Sequence, residues 1–260
     1  MKFIEKDSHI ILEDYKLVTK HPYKRYSRAE DPETGKRMYS VDGSKLPSVT
    51  TILGATKDQT SLDAWKRRVG EEQANKIKNE AATIGTEMHL VIEKYILGEG
   101  YLNLSEVGNK ARKMAHTILK KLDGITEVWG NEISLAYQGK YAGATDLVAV
   151  WKDKPMIFDW KQTNKPKRRE WVEDYYLQLA AYTLAHENMY EKLEGGRICM
   201  CSRNYEYQEF ILEGQELKDY QDKWWERYDL YLSTMKENYS SSSSSSQDSS
   251  SSSSSQDSSS

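Results

Sequence analysis

Two apolar runs follow each other in "GATDLVAVWKDKPMIFDWKQT", residues 143–163, and each run carries one carboxylate. Asp146 opens the first run, and Asp159 closes the second, with Lys161 two positions later. Short apolar runs separated by a turn signal, here "KDKP", are typical of buried strands. The stretch therefore predicts two neighbouring strands, over 142–151 and 155–161, in a buried sheet that contains two acids and a lysine.

The spacing of apolar residues predicts the other elements of the core. Helical spacing predicts four helices, over 81–97, 106–122, 170–191 and 216–237. Three more extended segments are predicted over 127–137, 197–202 and 206–212. From the second of these helices onward the order is helix, three strands, helix, two strands and helix, which favours an α/β fold with a central mixed sheet flanked by helices.

A single domain is predicted for residues 1–239. Its predicted parts are an N-terminal extension with a hairpin (1–47), a helical element (56–80), a core (81–203) and a C-terminal strand and helix (206–239). A helix over 60–79 is expected within the helical element. Only Ser, Gln and Asp occur from Ser240 onward. Because no apolar side chain there offsets the entropy of ordering, residues 240–260 are predicted to be a disordered tail or an appended artefact.

Charge and composition exclude few classes of function. The formal net charge is −3, and Asp248 and Asp257 in the tail supply −2 of it. The remaining near-neutral chain neither supports nor excludes a nucleic-acid partner, because a local basic stripe is enough. No apolar stretch reaches the roughly 20 residues of a membrane span, and the N-terminus lacks the apolar core of a signal peptide. The two cysteines, Cys199 and Cys201, are badly spaced for an internal disulfide, so a cytoplasmic, non-secreted protein is expected.

The two strand acids need a cation. Burying an isolated carboxylate is expensive, and two on adjacent strands raise that cost. Lys161 offsets one charge, whereas a divalent ion would offset both, and hard oxygen ligands suit Mg²⁺ or Mn²⁺. The alternative is structural: Asp159 and Lys161 form a local ion pair at a strand end, and Asp146 caps a turn.

Two predicted helices carry polar pairs at i and i+4, which share a helix face. His89 and Glu93 form one pair in "GTEMHLVIE", and Gln178 and Tyr182 form the other in "QLAAY". An imidazole and a carboxylate aimed at one point can be metal ligands or can support them. For the first pair, the alternative is a hydrogen-bonded core histidine beside a solvated glutamate. For the second pair, the alternative is an ordinary helix face that packs against the sheet.

In chain order, "GTEMHLVIE", "GATDLVAV", "IFDWK" and "QLAAY" resemble the motifs of the PD-(D/E)XK nuclease superfamily, in its RecB-type exonuclease branch. The nearest likeness is to the exonucleases of mitochondrial genome maintenance and their phage relatives, which "LPSVTTIL" also resembles. The likeness covers roughly residues 45–203, and Gly143 precedes Asp146 as G-x-x-D where the family name has a proline. The resemblance implies a restriction-endonuclease-like core.

The resemblance also implies a role for each motif residue. Asp146 and Asp159 would bind one or two catalytic Mg²⁺ or Mn²⁺ ions, joined by His89 and the backbone carbonyl of Trp160. Lys161 would contact the attacking water or the scissile phosphate, and Glu93 would hold a metal-bound water. Four polar residues would contact DNA or support the site: Gln178, Tyr182, Ser48 and Thr50. Some relatives bind an iron–sulfur cluster through four cysteines; with two cysteines here, no such cluster is expected.

Basic residues beside aromatic ones mark further candidate DNA contacts. "NKPKRREW" directly follows the candidate site, and four of its side chains can bind phosphates: Lys165, Lys167, Arg168 and Arg169. "WKRR" adds Arg67 and Arg68, and "KWWERY" (223–228) is a third cluster. Aromatic stacking with cationic flanks holds single strands without sequence preference. The alternative to DNA contact is a solvated helix face for the first two clusters and a helix that packs its aromatic side chains for 223–228. By analogy with related exonucleases, residues 56–80 would form a gate that threads single-stranded ends.

The sequence thus predicts a Mg²⁺- or Mn²⁺-dependent deoxyribonuclease that degrades DNA from free ends, preferring single strands, in a bacterial or phage-infected cell. Roles in recombination, repair or replication suit such an enzyme. A structure-specific endonuclease or a double-strand exonuclease of the same fold remains open, because active-site residues do not distinguish them. A non-catalytic nucleic-acid-binding module and a small-molecule metalloenzyme are the alternatives from other classes. The complete set of Asp146, Asp159 and Lys161 argues against a non-catalytic module. The basic residues of "NKPKRREW" argue against a small-molecule metalloenzyme.

Overall fold

The computed structural model of the chain describes residues 1–6 and 9–245. Its strands are β1 (Lys2–Lys6), β2 (His9–Glu13), β3 (Lys16–Leu17), β4 (Arg28–Glu30), β5 (Arg37–Val41), β6 (Ser44–Pro47), β7 (Ile125–Tyr137), β8 (Tyr141–Trp151), β9 (Lys154–Thr163), β10 (Gly195–Ser202) and β11 (Tyr207–Glu213). Its helices are α1 (Val49–Thr56), α2 (Thr60–Val69), α3 (Glu71–Ile96), α4 (Glu106–Leu119), α5 (Glu173–Met189) and α6 (Gly214–Ser245), and one turn of 3-10 helix covers Arg169–Trp171.

A six-stranded mixed sheet forms the centre, in the order β11-β10-β9-β8-β7-β3. β7, β8 and β9 are joined by tight turns and run antiparallel, as do β10 and β11. β10 instead runs parallel to β9, because the chain returns through α5 before it enters β10. The α/β fold with a central mixed sheet flanked by helices, predicted from the order of elements, is confirmed.

Both faces of this sheet are buried, which explains its apolar runs. Successive strand residues point to opposite faces. Val148 therefore packs with the helices α1, α5 and α6, while Leu147 and Ala149 pack with α3 and α4. Cys199 and Cys201 share the second face as buried free thiols.

A separate three-stranded sheet, β4-β5-β6, precedes the core. Its second turn is Asp42-Gly43, whose φ angles of 47° and 84° suit a two-residue hairpin turn. The predicted hairpin therefore forms in the N-terminal segment. A two-stranded sheet, β1-β2, lies before it in the chain.

The helical segment before the core differs from the prediction. One helix over 60–79 and another over 81–97 were expected, but the break lies at Gly70 between α2 and α3. Gly70 has φ 85°, outside the helical region, and its N–H ends α2 by donating to the carbonyl of Lys66. Nothing interrupts the chain near residue 80, so α3 is one 26-residue helix.

The other boundaries differ by a few residues. α5 begins at Glu173 rather than 170, because Arg169–Trp171 form the 3-10 turn. α6 continues to Ser245, and residues 246–260 of the predicted tail lie outside the described residues. Across residues 1–6 and 9–245, no helix has both the length and the apolarity that crossing a membrane requires.

Candidate metal centre

The strands β8 and β9 separate at the two acids. Their paired positions run from Trp151–Lys154, beside the turn, to Leu147–Phe158. Asp146 and Asp159 are the next residues on each strand, and both are buried, at 7% and 3% exposure. Because both strands continue beyond the last paired position, the acids lie where pairing ends and a space opens between the two backbones.

This space is part of a cavity of about 430 Å³. α3, α5 and the central strands form some of its walls, and the N-terminus of α1 and the β4-β5-β6 sheet contribute others. The polar side chains that line it from the central elements are His89, Glu93, Glu132, Asp146, Asp159, Lys161, Gln178 and Tyr182. Four carboxylates, one imidazole and one ammonium group therefore share one cavity.

The two ring nitrogens of His89 have different partners. Nε2 lies 2.9 Å from the backbone carbonyl oxygen of Trp160, which can only accept a hydrogen bond, so Nε2 carries a proton. Nδ1 faces Asp146 Oδ1 at 3.2 Å and Glu132 Oε1 at 3.8 Å. A hydrogen bond at one nitrogen fixes which nitrogen a metal-binding histidine offers. Nδ1 is therefore the atom that His89 can offer to a cation, which would displace the proton that Nδ1 directs at Asp146.

The backbone of Trp160 holds two of these side chains. Its carbonyl accepts from His89, and its N–H donates to Asp146 Oδ2 at 2.6 Å. The Trp160 side chain is 1% exposed on the α3–α4 face, which anchors this position. The resemblance implies that the Trp160 carbonyl is a metal ligand, whereas in the structure this oxygen faces His89.

Glu132 is the residue that the sequence interpretation missed. It lies on β7 between Asn131, which pairs with Leu147, and Ile133, which pairs with Thr145, so it is next to Asp146. The ligand atoms of Glu132, His89 and Asp146 all lie within 4.8 Å of one another. Its φ of 51° is uncommon for a non-glycine residue, and such outliers concentrate at functional sites.

A register count could have found Glu132. The turn between the predicted strands at 127–137 and 142–151 is centred on Gly139, and Tyr137 pairs with Tyr141 across it. Counting outward from this pair places residue 132 beside residue 146.

Burial and mutual contact perturb the protonation of the group. Burial disfavours the charged imidazole, but the adjacent Asp146 outweighs this and raises the pKa of His89 to about 10. Burial also opposes ionisation of Asp146, yet His89 and Lys161 hold the pKa of Asp146 below its usual value. Burial, together with the neighbouring Asp146, raises the pKa of Asp159, and burial raises the pKa of Glu132. The acids thus compete for limited positive charge.

Lys161 is the nearest compensating cation. Its Nζ lies 2.6 Å from Asp159 Oδ2, as expected for residues two apart on a strand. Burial lowers the pKa of Lys161, but Asp159 and Asp146 outweigh that effect and raise it. The Lys161 ammonium also lies 5.2 Å from the centre of the Tyr175 ring.

The donor set fits a hard divalent cation. Three carboxylates and one imidazole are ligands that Mg²⁺ or Mn²⁺ accepts. Asp159 Oδ2 already has the Lys161 ammonium at 2.6 Å, so the fit rests on the other acids. Glu132 and Asp146 have ligand atoms within 4.8 Å of each other and of His89, and a divalent cation among them would offset the cost of burying these carboxylates.

The comparisons with known proteins agree with the motifs. Mitochondrial genome maintenance exonuclease 1 of Xenopus tropicalis is 27% identical over 167 residues, covering 59% of this chain and 47% of the relative. The protein of the same name from Homo sapiens is 25% identical over 226 residues, covering 80% of this chain and 64% of the relative. The chain is related to exonucleases. The resemblance seen in the motifs is thereby confirmed.

The extent of these matches is limited. The Mus musculus relative of the same name is 27% identical over 132 residues, covering 48% of this chain and 39% of the relative. The chain thus spans between 39% and 64% of the length of these curated relatives. No family model matches the chain. A crystal structure named "Putative exonuclease", from Eubacterium rectale, aligns with a TM-score of 0.40 at 12% identity over 58% of this chain and 65% of that one, a similarity too low to define a shared fold.

Gln178 and Tyr182 lie behind the acids on α5. Both line the cavity, and Gln178 Nε2 donates to the Tyr182 hydroxyl at 3.2 Å. Tyr182 is 3% exposed and packs against Gly143, where an added Cβ would lie 2.5 Å from a Tyr182 ring carbon. The glycine of G-x-x-D is therefore required for the close approach of Tyr182.

Glu93, Ser48 and Thr50 also line the cavity. Glu93 Oε1 accepts a 2.7 Å hydrogen bond from Arg25, so an arginine already holds the carboxylate that was expected to hold a water. Ser48 caps α1 by accepting from the N–H of Thr51, and its hydroxyl lies 3.0 Å from the Thr50 hydroxyl.

The predicted basic contacts lie outside the cavity walls that the described residues form. Lys165 and Lys167 lie in the loop after β9, where Gln208 bonds the Lys167 backbone at 2.6 and 2.9 Å. Arg168 lies over the exposed Trp171 ring, and Arg169 pairs with Glu216. Arg67 borders a separate surface depression, and α2, which carries Arg67 and Arg68, has no buried residue.

Proposed function

We propose that this chain is a metal-dependent deoxyribonuclease that hydrolyses phosphodiester bonds from free ends and prefers single-stranded DNA. The observation that carries the proposal is the meeting of His89, Asp146, Asp159 and Lys161 in one cavity, with Glu132 beside them. Residues from four separate chain segments would not converge in this way merely to cap strands. The similarity to relatives named exonucleases supports the same reading.

Four side chains would hold Mg²⁺ or Mn²⁺. Three have ligand atoms within 4.8 Å of one another, namely His89, through Nδ1, Glu132 and Asp146, and the fourth, Asp159, lines the same cavity. A divalent ion at a phosphodiester polarises the phosphoryl oxygen, lowers the pKa of bound water and stabilises the leaving oxygen. The chain itself supplies orientation, because the Trp160 backbone fixes His89 and Asp146 at the same time.

Lys161 would act on the substrate as a fixed positive charge. Its ammonium is held by Asp159 on the same strand face and borders the cavity. Hydrolysis adds negative charge to the phosphoryl oxygens, and a preorganised cation in a partly dry site stabilises that charge. The centre of the Tyr175 ring lies 5.2 Å from the same ammonium group.

The cavity has room for the reacting part of a nucleic-acid strand. Its volume of about 430 Å³ lies within the range of roughly 300–1,000 Å³ that encloses a small ligand. The preference for single strands is proposed from the resemblance of the motifs to those of the exonucleases. The requirement for a free end is supported by the name of the relatives alone.

End-labelled oligonucleotides test the proposal. Single- and double-stranded forms of one sequence would be incubated with Mg²⁺, Mn²⁺ or chelator, using the native chain and Asp159→Ala. We expect metal-dependent shortening of the single strand by the native chain and none by the variant. Binding without cleavage under either metal would contradict a nuclease and favour a non-catalytic module.

A circular substrate separates the two modes of cleavage. An enzyme that needs an end cannot begin on a closed single-stranded circle, whereas an endonuclease can. We expect the linear form to be degraded and the circle of the same sequence to persist. Cleavage of the circle at the same rate would replace the exonuclease assignment by an endonuclease one.

A further inference from the structure

The small β4-β5-β6 sheet faces the cavity with one side. Residues two apart on β5 share a face, so Arg37, Tyr39 and Val41 point the same way. Arg28 on β4 lies directly opposite Tyr39, which adds it to that face. The apolar members of the face are buried against the ends of β7 and β8, through Tyr39, Val41, Leu46, Ala136 and Ala142. This packing holds the two arginines of the same face at the cavity, and both line it.

Neither arginine has a partner in the described residues. Their side chains form no ion pair or hydrogen bond there, although Glu30 lies opposite Arg37 on the neighbouring strand. Arg25, three residues before Arg28, differs because it binds Glu93 at 2.7 Å. The guanidinium groups of Arg28 and Arg37 therefore remain available to a ligand.

The backbone of Arg37 is fixed where the sheet meets α1. Its carbonyl accepts from the N–H of Ser48 at 3.1 Å and from the hydroxyl of Thr51 at 3.0 Å. Ser48 is also the N-cap of α1, so the same residue orders the helix start and the arginine strand. Arg37 is thus placed by the fold although its side chain is exposed.

The two arginines suit a string of phosphates. Diagonal neighbours across an antiparallel pair, as Arg28 and Arg37 are, have side chains that begin roughly 7–8 Å apart. Two unpaired like charges at this spacing repel each other, and an anion between them would relieve that repulsion. The carboxylates on the other walls repel a phosphate backbone, so cations on this wall are needed to hold the strand beside them.

We propose that Arg28 and Arg37 form a phosphate-binding wall that grips the nucleic-acid strand next to the scissile phosphodiester. The proposal rests on the proposed nuclease function for the identity of its ligand. The wall holds flanking phosphates and takes no part in bond cleavage, so Arg28 and Arg37 are positioning residues. It binds the backbone alone and adds no base preference.

Salt-dependent binding tests the wall without any need for turnover. A labelled single-stranded oligothymidylate would be titrated with the full chain in chelator, at several salt concentrations, with fluorescence anisotropy as the readout. Each lost phosphate contact lowers the slope of log K against log salt by about 0.7 for single strands. We expect Arg28→Ala combined with Arg37→Ala to reduce the slope by about 1.4.

Two further variants control this measurement. Lys45→Ala removes a charge from β6 of the same sheet, outside the cavity, and should leave the slope unchanged. Arg28→Lys combined with Arg37→Lys keeps both charges and should restore most of the slope, because lysine also binds phosphate. A lowered melting temperature would reveal a structural defect in the alanine pair. In that case the slope of the lysine pair decides whether the two positive charges bind phosphate.

Cleavage kinetics in Mg²⁺ or Mn²⁺ give a second readout. Loss of a contact made equally before and during cleavage raises KM and leaves kcat unchanged. We expect the alanine pair to raise KM about tenfold or more, with the native kcat. If the native chain cleaves DNA but the alanine pair has the native slope and KM, the phosphate-binding wall is overturned and the nuclease function is left intact. If the alanine pair has a reduced slope but the native chain does not cleave DNA, the phosphate-binding wall stands and the nuclease function is overturned.

Discussion

The backbone N–H of Trp160 donates a 2.6 Å hydrogen bond to Asp146 Oδ2, so the residue that follows one acid fixes the other. This bond spans β8 and β9 just beyond their last paired residues, Leu147 and Phe158. The two strands separate, but the acids remain in one arrangement. Their carboxylates are therefore preorganised before any cation arrives.

Replacing either acid by its amide should abolish cleavage and preserve the fold. In Asp146→Asn, the amide oxygen still accepts from Trp160, while a negative ligand is lost. Loss of several kcal/mol of charge stabilisation corresponds to a rate about 1,000-fold lower. The same result is expected for Asp159→Asn. The rate on a labelled single strand and the melting temperature in chelator check both expectations.

Asp153→Asn is the matched control for this pair. Asp153 lies in the turn between the same two strands, and an asparagine tolerates its φ of 64°. Its activity should equal that of the native chain. Residual metal-dependent cleavage near the native rate in Asp159→Asn would remove the strand acids from the mechanism.

Glu132→Gln should weaken metal binding. Glu132 is close to His89 Nδ1 and adjacent to Asp146, and the amide offers a neutral oxygen in place of a carboxylate. Changes around a metal site typically lower its affinity by about 10–100-fold, and we expect a loss of that size for Mn²⁺ by isothermal titration calorimetry. Glu127→Gln, on the same strand and bonded to Trp129, is the control. Equal Mn²⁺ affinities for native and Glu132→Gln would exclude Glu132 as a ligand.

Gly143→Ala should displace Tyr182. The added methyl would lie 2.5 Å from a ring carbon and 2.9 Å from the hydroxyl of Tyr182, a buried residue with little room to move. Overpacking of this kind costs about 1–3 kcal/mol, so both the free energy of unfolding and the cleavage rate should fall. Gly54→Ala in α1 meets nothing within 4 Å and should be neutral or stabilising. Equal stability of the two variants would refute the requirement for glycine at 143.

Stability should fall in acid because of His116. Burial, together with Arg112 and Lys120, lowers the pKa of His116 to about 4, and Nε2 has no partner among the described residues. The unfolded imidazole has a pKa near 6.5. The native state is therefore favoured fully above pH 6.5 and loses stability as pH falls from about 6.5 to about 4. The full shift corresponds to roughly 3.4 kcal/mol, and solvent screening of this partly exposed ring reduces the expected loss to on the order of 2 kcal/mol.

His116→Phe tests this pH dependence. A phenyl ring keeps the edge contacts with Phe3 and Tyr95 and cannot take up a proton. Urea unfolding between pH 7 and pH 4 should give a flatter profile for the variant than for the native chain. Parallel profiles would assign the acid sensitivity to other groups.

Strand periodicity and chain order were sufficient for much of the fold. Residues two apart on a strand share a face, and the structure has Asp159 and Lys161 2.6 Å apart. Cys199 and Cys201, also two apart, share a buried face. These are local consequences of strand geometry, which the sequence carries directly.

Features that depend on packing or on backbone conformation were not visible in the sequence. A register count from the Gly139 turn could have placed Glu132 beside Asp146, but the positive φ angle of Glu132 has no sequence signal. Arg28 and Arg37 reach the cavity only because Tyr39 and its apolar neighbours pack the small sheet against the central one. The break at Gly70 was missed because the polar residues on both sides continue a helical pattern.

Anomalous scattering from crystals grown with Mn²⁺ tests the central claim, that these side chains form one cation site. We predict a Mn²⁺ peak between β8 and β9, about 2.0–2.2 Å from carboxylate oxygens of Asp146 and Asp159 and from His89 Nδ1. The peak should be absent from crystals of Asp159→Asn grown in the same way. No peak in this cavity at saturating Mn²⁺, or a peak elsewhere on the chain alone, would contradict the account.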